Sequence, residues 1–258
     1  MNFFTDLFSI LGICLGLFVA LDRQGFILSV VVGIVLGGGC WAACSYFSRL
    51  WNLRFRTSFI HHILCFVAAL LTIAFSILFA SLKYTKEAAY ASVMAWEVQI
   101  NSDPVWANAT FAIAFDAVRK LGVEDFSNVP LPGMPNSHIP TNNNRSILAA
   151  ASTYAVSGSK HFDKNRPFLS KIIKGKSEVP QQLLDADIKN FFATIGNSYP
   201  PPRAISLVAS ETKRELDTQV PRVVTYARIV LVLIFLLAQA VPFGLVGYAA
   251  YKDLRVNT

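Results

Sequence analysis

The chain has 258 residues, 53% of them hydrophobic and only 15% charged, with a formal net charge of +7. So apolar a composition excludes a disordered, highly charged segment. Residues 83–222 hold 16 Lys and Arg against 13 Asp and Glu. Much of the positive excess therefore lies elsewhere in the chain, and nucleic acid is not an expected partner.

The apolar residues are bunched into four runs, and crossing a hydrocarbon core of about 30 Å takes roughly 20 helical residues. Phe3 to Leu21 meets that length narrowly. Phe26 to Phe47 and Ser58 to Leu82 meet it easily, and Thr225 to Tyr251 has room to tilt. None alternates with the period of two that marks barrel strands, so the runs are read as helices. The first run ends at Phe18-Val19-Ala20, as a secretory signal would, but its start carries no Lys or Arg, so it is taken as a retained span. The expected fold class is all-α: an integral membrane protein of four helices, three before and one after an inserted helical extramembrane domain. The divisions are 1–82 for a three-helix bundle, 83–223 for the extramembrane domain, 224–251 for the fourth span and 252–258 for a tail.

Orientation follows the distribution of Lys and Arg in short loops. The loop at 48–57 carries Arg49, Arg54 and Arg56, so it is assigned to the cytoplasm. By parity the amino terminus and the tail with Lys252 and Arg255 are expected inside and 83–223 outside. All four cysteines, Cys14, Cys40, Cys44 and Cys65, fall within the apolar runs, and residues 83–223 contain none. An exported domain without disulfides points to the bacterial inner membrane with a periplasmic domain, folded on its own core.

Within the membrane, small residues recur at four-residue spacing, which sets them on one helix face and lets backbones approach. Gly12 and Gly16 do so in the first run, Gly33 and Gly37 in the second, and Ala68, Thr72, Ser76 and Ala80 in the third. In the fourth run Gln239 needs a polar partner in lipid, and Pro242 with Gly244 predicts a kink just beyond it. Ionisable groups at depth are nearly absent, which argues against pumps and voltage sensors.

Past Leu82 a helix is expected to continue from Lys83 to Ile100. Asp103 as cap, Pro104 behind it and Gly122 as stop bracket a second helix. The stretch from Val129 to Asn144, rich in Pro and Asn, reads as a long loop of functional length around Met134 and His138. Further helices are expected at Arg145 to Val156, Pro167 to Lys174, Pro180 to Ile195 and Ala204 to Gln219, with Pro200 to Pro202 as an interruption and Pro221 opening the last span.

Three clusters carry chemistry on paper. Cys40 and Cys44 are one turn apart on one helix, and His61 and Cys65 one turn apart on the next, joined by a short loop. Thiolates and imidazoles so placed are candidate ligands for zinc, and His61 or His62 for haem iron, but no cofactor is assigned from the spacing. Ser157, Ser159, His161 and Asp163 contain the letters of a hydrolase triad without a nucleophile elbow. Lys160, Lys164, Arg166, Lys171, Lys174 and Lys176 face only Asp163 in the same stretch, forming a basic patch suited to an acidic partner surface or anionic lipid headgroups.

The 3+1 layout resembles that of tetraspanins, but their Cys-Cys-Gly motif and loop disulfides are missing, which rules that family out. The ending Gly244-Leu245-Val246 followed by Lys252-Asp253-Leu254-Arg255 resembles membrane proteins of integrative conjugative elements over a dozen residues, too few to carry a function. The expected function is a non-enzymatic inner-membrane subunit of a secretion or conjugation type envelope assembly, with membrane lipid, other envelope proteins and a second copy of the chain as the candidate partners. Recognition is assigned to Met134, His138, Lys160, Lys164, Arg166, Lys171 and Lys174. An immunity protein against a membrane-active toxin is the nearest alternative, followed by an oligomeric channel or a metal- or haem-binding membrane enzyme.

Overall fold

The computed structural model describes residues 2–122, 144–194 and 199–256. Met134, His138 and the proline-rich stretch around them lie outside the described residues. The described chain is all-α, without strands: α1 (Phe3–Leu21), α2 (Arg23–Trp51), α3 (Phe59–Ser81), a single 3-10 turn (Leu82–Tyr84), α4 (Thr85–Asn101), α5 (Pro104–Lys120), α6 (Asn144–Asn165), α7 (Pro167–Ile172), α8 (Gln181–Thr194) and α9 (Pro201–Val256). Four helices, those containing the four apolar runs, are long and apolar enough to cross a membrane, which makes this a multi-pass membrane protein.

The chain divides into two compact units, one of Met1–Ile10 with Lys86–Val220 and one of Leu11–Thr85 with Pro221–Thr258. Two of these boundaries lie within three residues of the divisions read at 82/83 and 223/224. The third cuts α1, whose first turns group with Lys86–Val220 and not with α2 and α3.

In the second unit, α2 and α3 are antiparallel and nearly touch backbone to backbone. A methyl group on Gly37 would stand 2.9 Å from the Ala69 carbonyl oxygen, and one on Gly33 3.1 Å from the Ile73 Cα. Only glycine permits this approach. Ser76 Oγ adds a bond across the pair, donating to the Ser29 carbonyl at 3.0 Å. The start of α3 is fixed by a capping box, in which Ser58 Oγ accepts from Ile60 N and His61 Nδ1 accepts from Ser58 N at 2.9 Å. The apolar part of α9 joins them. Phe235 stacks on Phe75 with centroids 4.4 Å apart, and Gly247 lets the Phe47 ring lie against its backbone. Gly12 and Gly16 are different: nothing lies within 4 Å of a methyl group at either, so α1 makes no glycine-mediated contact among the described residues.

The first unit has a core of the kind water drives together. Phe111, Ala114 and Val118 of α5, Ile147, Ala150, Ala151 and Tyr154 of α6, Leu184, Ile188 and Phe191 of α8, and Tyr199 with Ala204 form one buried cluster. Trp96 of α4 is fully buried edge-on to Phe162. Asp103 caps α5 by accepting from Val105 N and Trp106 N, and Gly122 follows at φ 64, where a residue with a Cβ is strained. α6 runs nine residues past the expected end at Val156, because His161, Phe162 and Asn165 all find intrahelical or core partners. The expected break between Gln219 and Thr225 is also absent: α9 continues through both Pro221 and Pro242. Each proline removes a single N–H, and long helical flanks on both sides tolerate that loss.

Candidate functional site

The polar node of the second unit centres on Gln239. Its Nε2 donates to the Ala68 carbonyl at 2.9 Å and to Thr72 Oγ1 at 3.1 Å, while Cys40 Sγ donates to its Oε1 at 3.6 Å. Thr72 Oγ1 in turn donates back to the Ala68 carbonyl at 2.9 Å. One amide thereby ties α9 to α2 and α3, and the residues named as a small-residue stripe, Ala68 and Thr72, supply the acceptors. Ala80 lies farther along α3, half-buried, beside an apolar groove of about 510 Å³ lined by Leu28, Val32, Phe75, Phe79, Lys83 and Arg228, among others.

The Cys/His set does not assemble into a metal centre. Cys44 and Cys65 are buried together with Val246. Cys40 is bonded to Gln239, and the His61 ring is turned back to cap its own helix. Ser45 Oγ donates to Cys65 Sγ at 3.5 Å. No group of three or more metal-competent side chains occurs among the described residues. The one-turn spacing that made these residues candidates is satisfied by helix packing and capping instead.

The triad letters are likewise dispersed among other bonds. Ser157 Oγ pairs with Thr110 Oγ1 at 2.9 Å, Ser159 Oγ donates to the Ser177 carbonyl at 2.8 Å, and Asp163 accepts from Ser170 Oγ at 2.7 Å. The Trp96 indole N–H donates to His161 Nδ1 at 3.0 Å. Because an indole can only donate, Nδ1 is the acceptor, and the Asn165 side-chain amide lies 3.0 Å from Nε2 at the other edge of the ring. Burial pushes the His161 pKa below the ordinary histidine value. The ring's partners are thus Trp96 and Asn165, while Ser157, Ser159 and Asp163 bond elsewhere.

The expected basic patch lacks one member at the surface. Lys160, Lys164, Lys171, Lys174 and Lys176 are exposed, and none makes an ion pair among the described residues. Arg166 instead turns inward, its side chain 13% exposed, to the wholly buried Asp6 at 3.5 Å. An ion pair of this kind exists because Asp6 cannot be left buried alone. Lys174 sits at φ 55 just before Gly175 at φ 69, in the turn after α7, and is exposed there. Next to Lys160, Ile113, Ser152, Thr153, Val156 and Ser157 line an apolar concavity of about 390 Å³.

Sequence reasoning missed a second fastener, between α8 and the start of α9. Asp187 receives two bonds from Arg203, both at 2.7 Å, and one from Tyr199 Oη at 2.7 Å. Burial by itself would raise the Asp187 pKa. The bonds from Arg203 and Tyr199 outweigh it and hold the carboxyl below the usual range. The proline cluster Pro200 to Pro202 concealed this pairing, since it joins α8 to the start of α9 across what reads as a break. No protein family, characterised protein or solved structure matches this chain.

Proposed function

We propose that the protein is a non-enzymatic, multi-pass subunit of an assembly in the bacterial inner membrane, whose helical domain at 83–223 faces the periplasm and recognises a partner protein. The observation that carries this reading is the lysine surface of α6, α7 and the following turn. Five exposed cations without ion-pair partners among the described residues sit on a domain with its own packed core. Unpaired charge of one sign on a rigid scaffold favours encounter with an acidic surface and penalises basic ones. The concavity beside Lys160 adds an apolar foothold, which a charged rim alone lacks.

The arginines at 48–57 and the basic tail support a cytoplasmic placement of those segments. The three helices joined at Gln239 serve as the anchor. The test is gentle solubilisation of the full chain from its native membrane with identification of co-purifying chains. A recurrent partner is expected, lost at least tenfold on changing Lys160, Lys164 and Lys171 together to Glu. A protein recovered alone overturns the assembly reading, and a partner retained by the triple variant overturns the lysine surface.

A further inference from the structure

The two ends of α1 are both held by residues from one stretch of chain. At its start Asp6, with no exposed surface, accepts from the Phe168 backbone N–H at 2.9 Å and from Arg166 Nη1 at 3.5 Å. Phe3 meets the Phe168 ring edge-on with centroids 5.4 Å apart, and Lys171 Nζ lies 4.7 Å over the Phe3 ring. At its other end Phe18 packs beside Tyr84, centroids 5.8 Å apart, and Asp22, just past the helix, pairs with Lys83. Between Lys83 and Lys171 the sequence has no further apolar run of the length a crossing needs. Lys83, Tyr84, Arg166, Phe168 and Lys171 are therefore on one side of the membrane, and both ends of α1 are bonded to that side.

We infer that α1 does not use its capacity to cross the bilayer. It lies on the side of the 83–223 domain, latched by Asp6 to Arg166 and to the first turn of α7. The chain then crosses three times, through α2, α3 and α9, and its two termini are on opposite faces. This departs from the amino terminus expected on the side of the 48–57 loop.

Three independent features agree. α1 has 19 residues, about 28 Å at 1.5 Å per residue, the shortest of the four. Residues 1–22 contain no Lys or Arg to hold the amino terminus in the cytoplasm. Burial along α1 is one-sided in spite of its uniformly apolar sequence: Asp6, Ile10, Cys14 and Phe18, each four residues apart, are buried, while Phe4, Phe8, Gly12 and Gly16 are exposed. That is the pattern of a helix docked along one face, with its single carboxylate on the docked side.

The test is site-directed labelling of the full chain in sealed native membranes with a membrane-impermeant maleimide. Single cysteines are placed at Asn2, at Lys189 in α8 and at Leu53 in the arginine loop, all exposed positions. The parent chain serves as control for its own four cysteines. Asn2→Cys is expected to label under the conditions that label Lys189→Cys, and Leu53→Cys only once the membrane is opened to its other face. A second arm, Phe3→Cys with Phe168→Cys, is expected to form a disulfide on mild oxidation, read as a peptide mass. Labelling of Asn2→Cys together with Leu53→Cys, or a double variant that labels at both cysteines but never cross-links, overturns the proposal.

Discussion

The two units of this chain are held together by opposite means. In the first, large side chains such as Trp96, Phe162, Leu169 and Ile205 are fully buried. In the second, large side chains such as Ile34, Val35, Leu233 and Leu237 are more than half exposed, while small or weakly polar groups such as Cys44, Cys65, Ala68 and Thr72 are buried. Water drives the first arrangement, because apolar area is removed from it. Lipid offers no such reward, so the second depends on close backbone approach and on a few hydrogen bonds without competition from solvent. One chain thus contains both rules, and substitutions separate them.

Removing bulk acts most strongly on the first unit. Trp96→Ala is expected to cost about 3–5 kcal/mol, since it empties the most voluminous buried site and leaves His161 without its donor. Thermal or denaturant unfolding of the solubilised protein, followed at the α6 region by limited proteolysis, checks this. A loss below 1 kcal/mol would erase the contrast.

Adding bulk acts on the second unit. Gly37→Leu drives a side chain into the Ala69 carbonyl and is expected to cost about 1–3 kcal/mol, whereas Gly12→Leu meets no neighbour and is expected to be neutral or slightly stabilising. The pair shares one chemistry and differs only in surroundings. Equal destabilisation of both, measured by thermal shift in one detergent, contradicts the placement of α1.

The Gln239 node is a weaker fastener than its position implies. Gln239→Leu is expected to cost about 0.6–1.7 kcal/mol, the range found for hydrogen bonds between membrane helices, and Thr72→Val is expected to remove part of the same increment. A double-mutant cycle should show the two to be coupled through the 3.1 Å bond. Additive losses would mean that they act separately.

The smallest expected effect is on pH dependence. His161 is held below its ordinary pKa of about 6.5 by burial, so below that pH the unfolded chain binds a proton that the folded one refuses. Its contribution to stability is complete above about pH 6.5 and is lost as pH falls toward the depressed value. His161→Gln should flatten the stability profile in that window, and an unchanged slope removes His161 from the account.

Much of the fold was legible because it rests on local rules. The Asp103 cap, the stop at Gly122 and the approach of Gly33 and Gly37 all follow from residue types a few positions apart. The candidate sites were less legible, because identical local patterns have several uses. Cys40, Cys44, His61 and Cys65 have ligand-like spacing, and their side chains are spent on capping and packing. By its place in the sequence Arg166 belongs to a basic surface, but its guanidinium is on Asp6, 160 positions away.

The sequence by itself determined that this is a helical, multi-pass membrane protein with a cysteine-free polar domain between apolar helices. The length and polarity of a run fix its solvent whatever its neighbours. Only the tertiary structure decided where each polar group of the apolar segments finds its partner: Gln239 on α3, His61 on its own helix, Asp6 on α7. Such pairings depend on distances between segments far apart in the chain. A buried polar group accepts whichever donor the fold brings within about 3 Å, and that choice leaves no trace in local spacing.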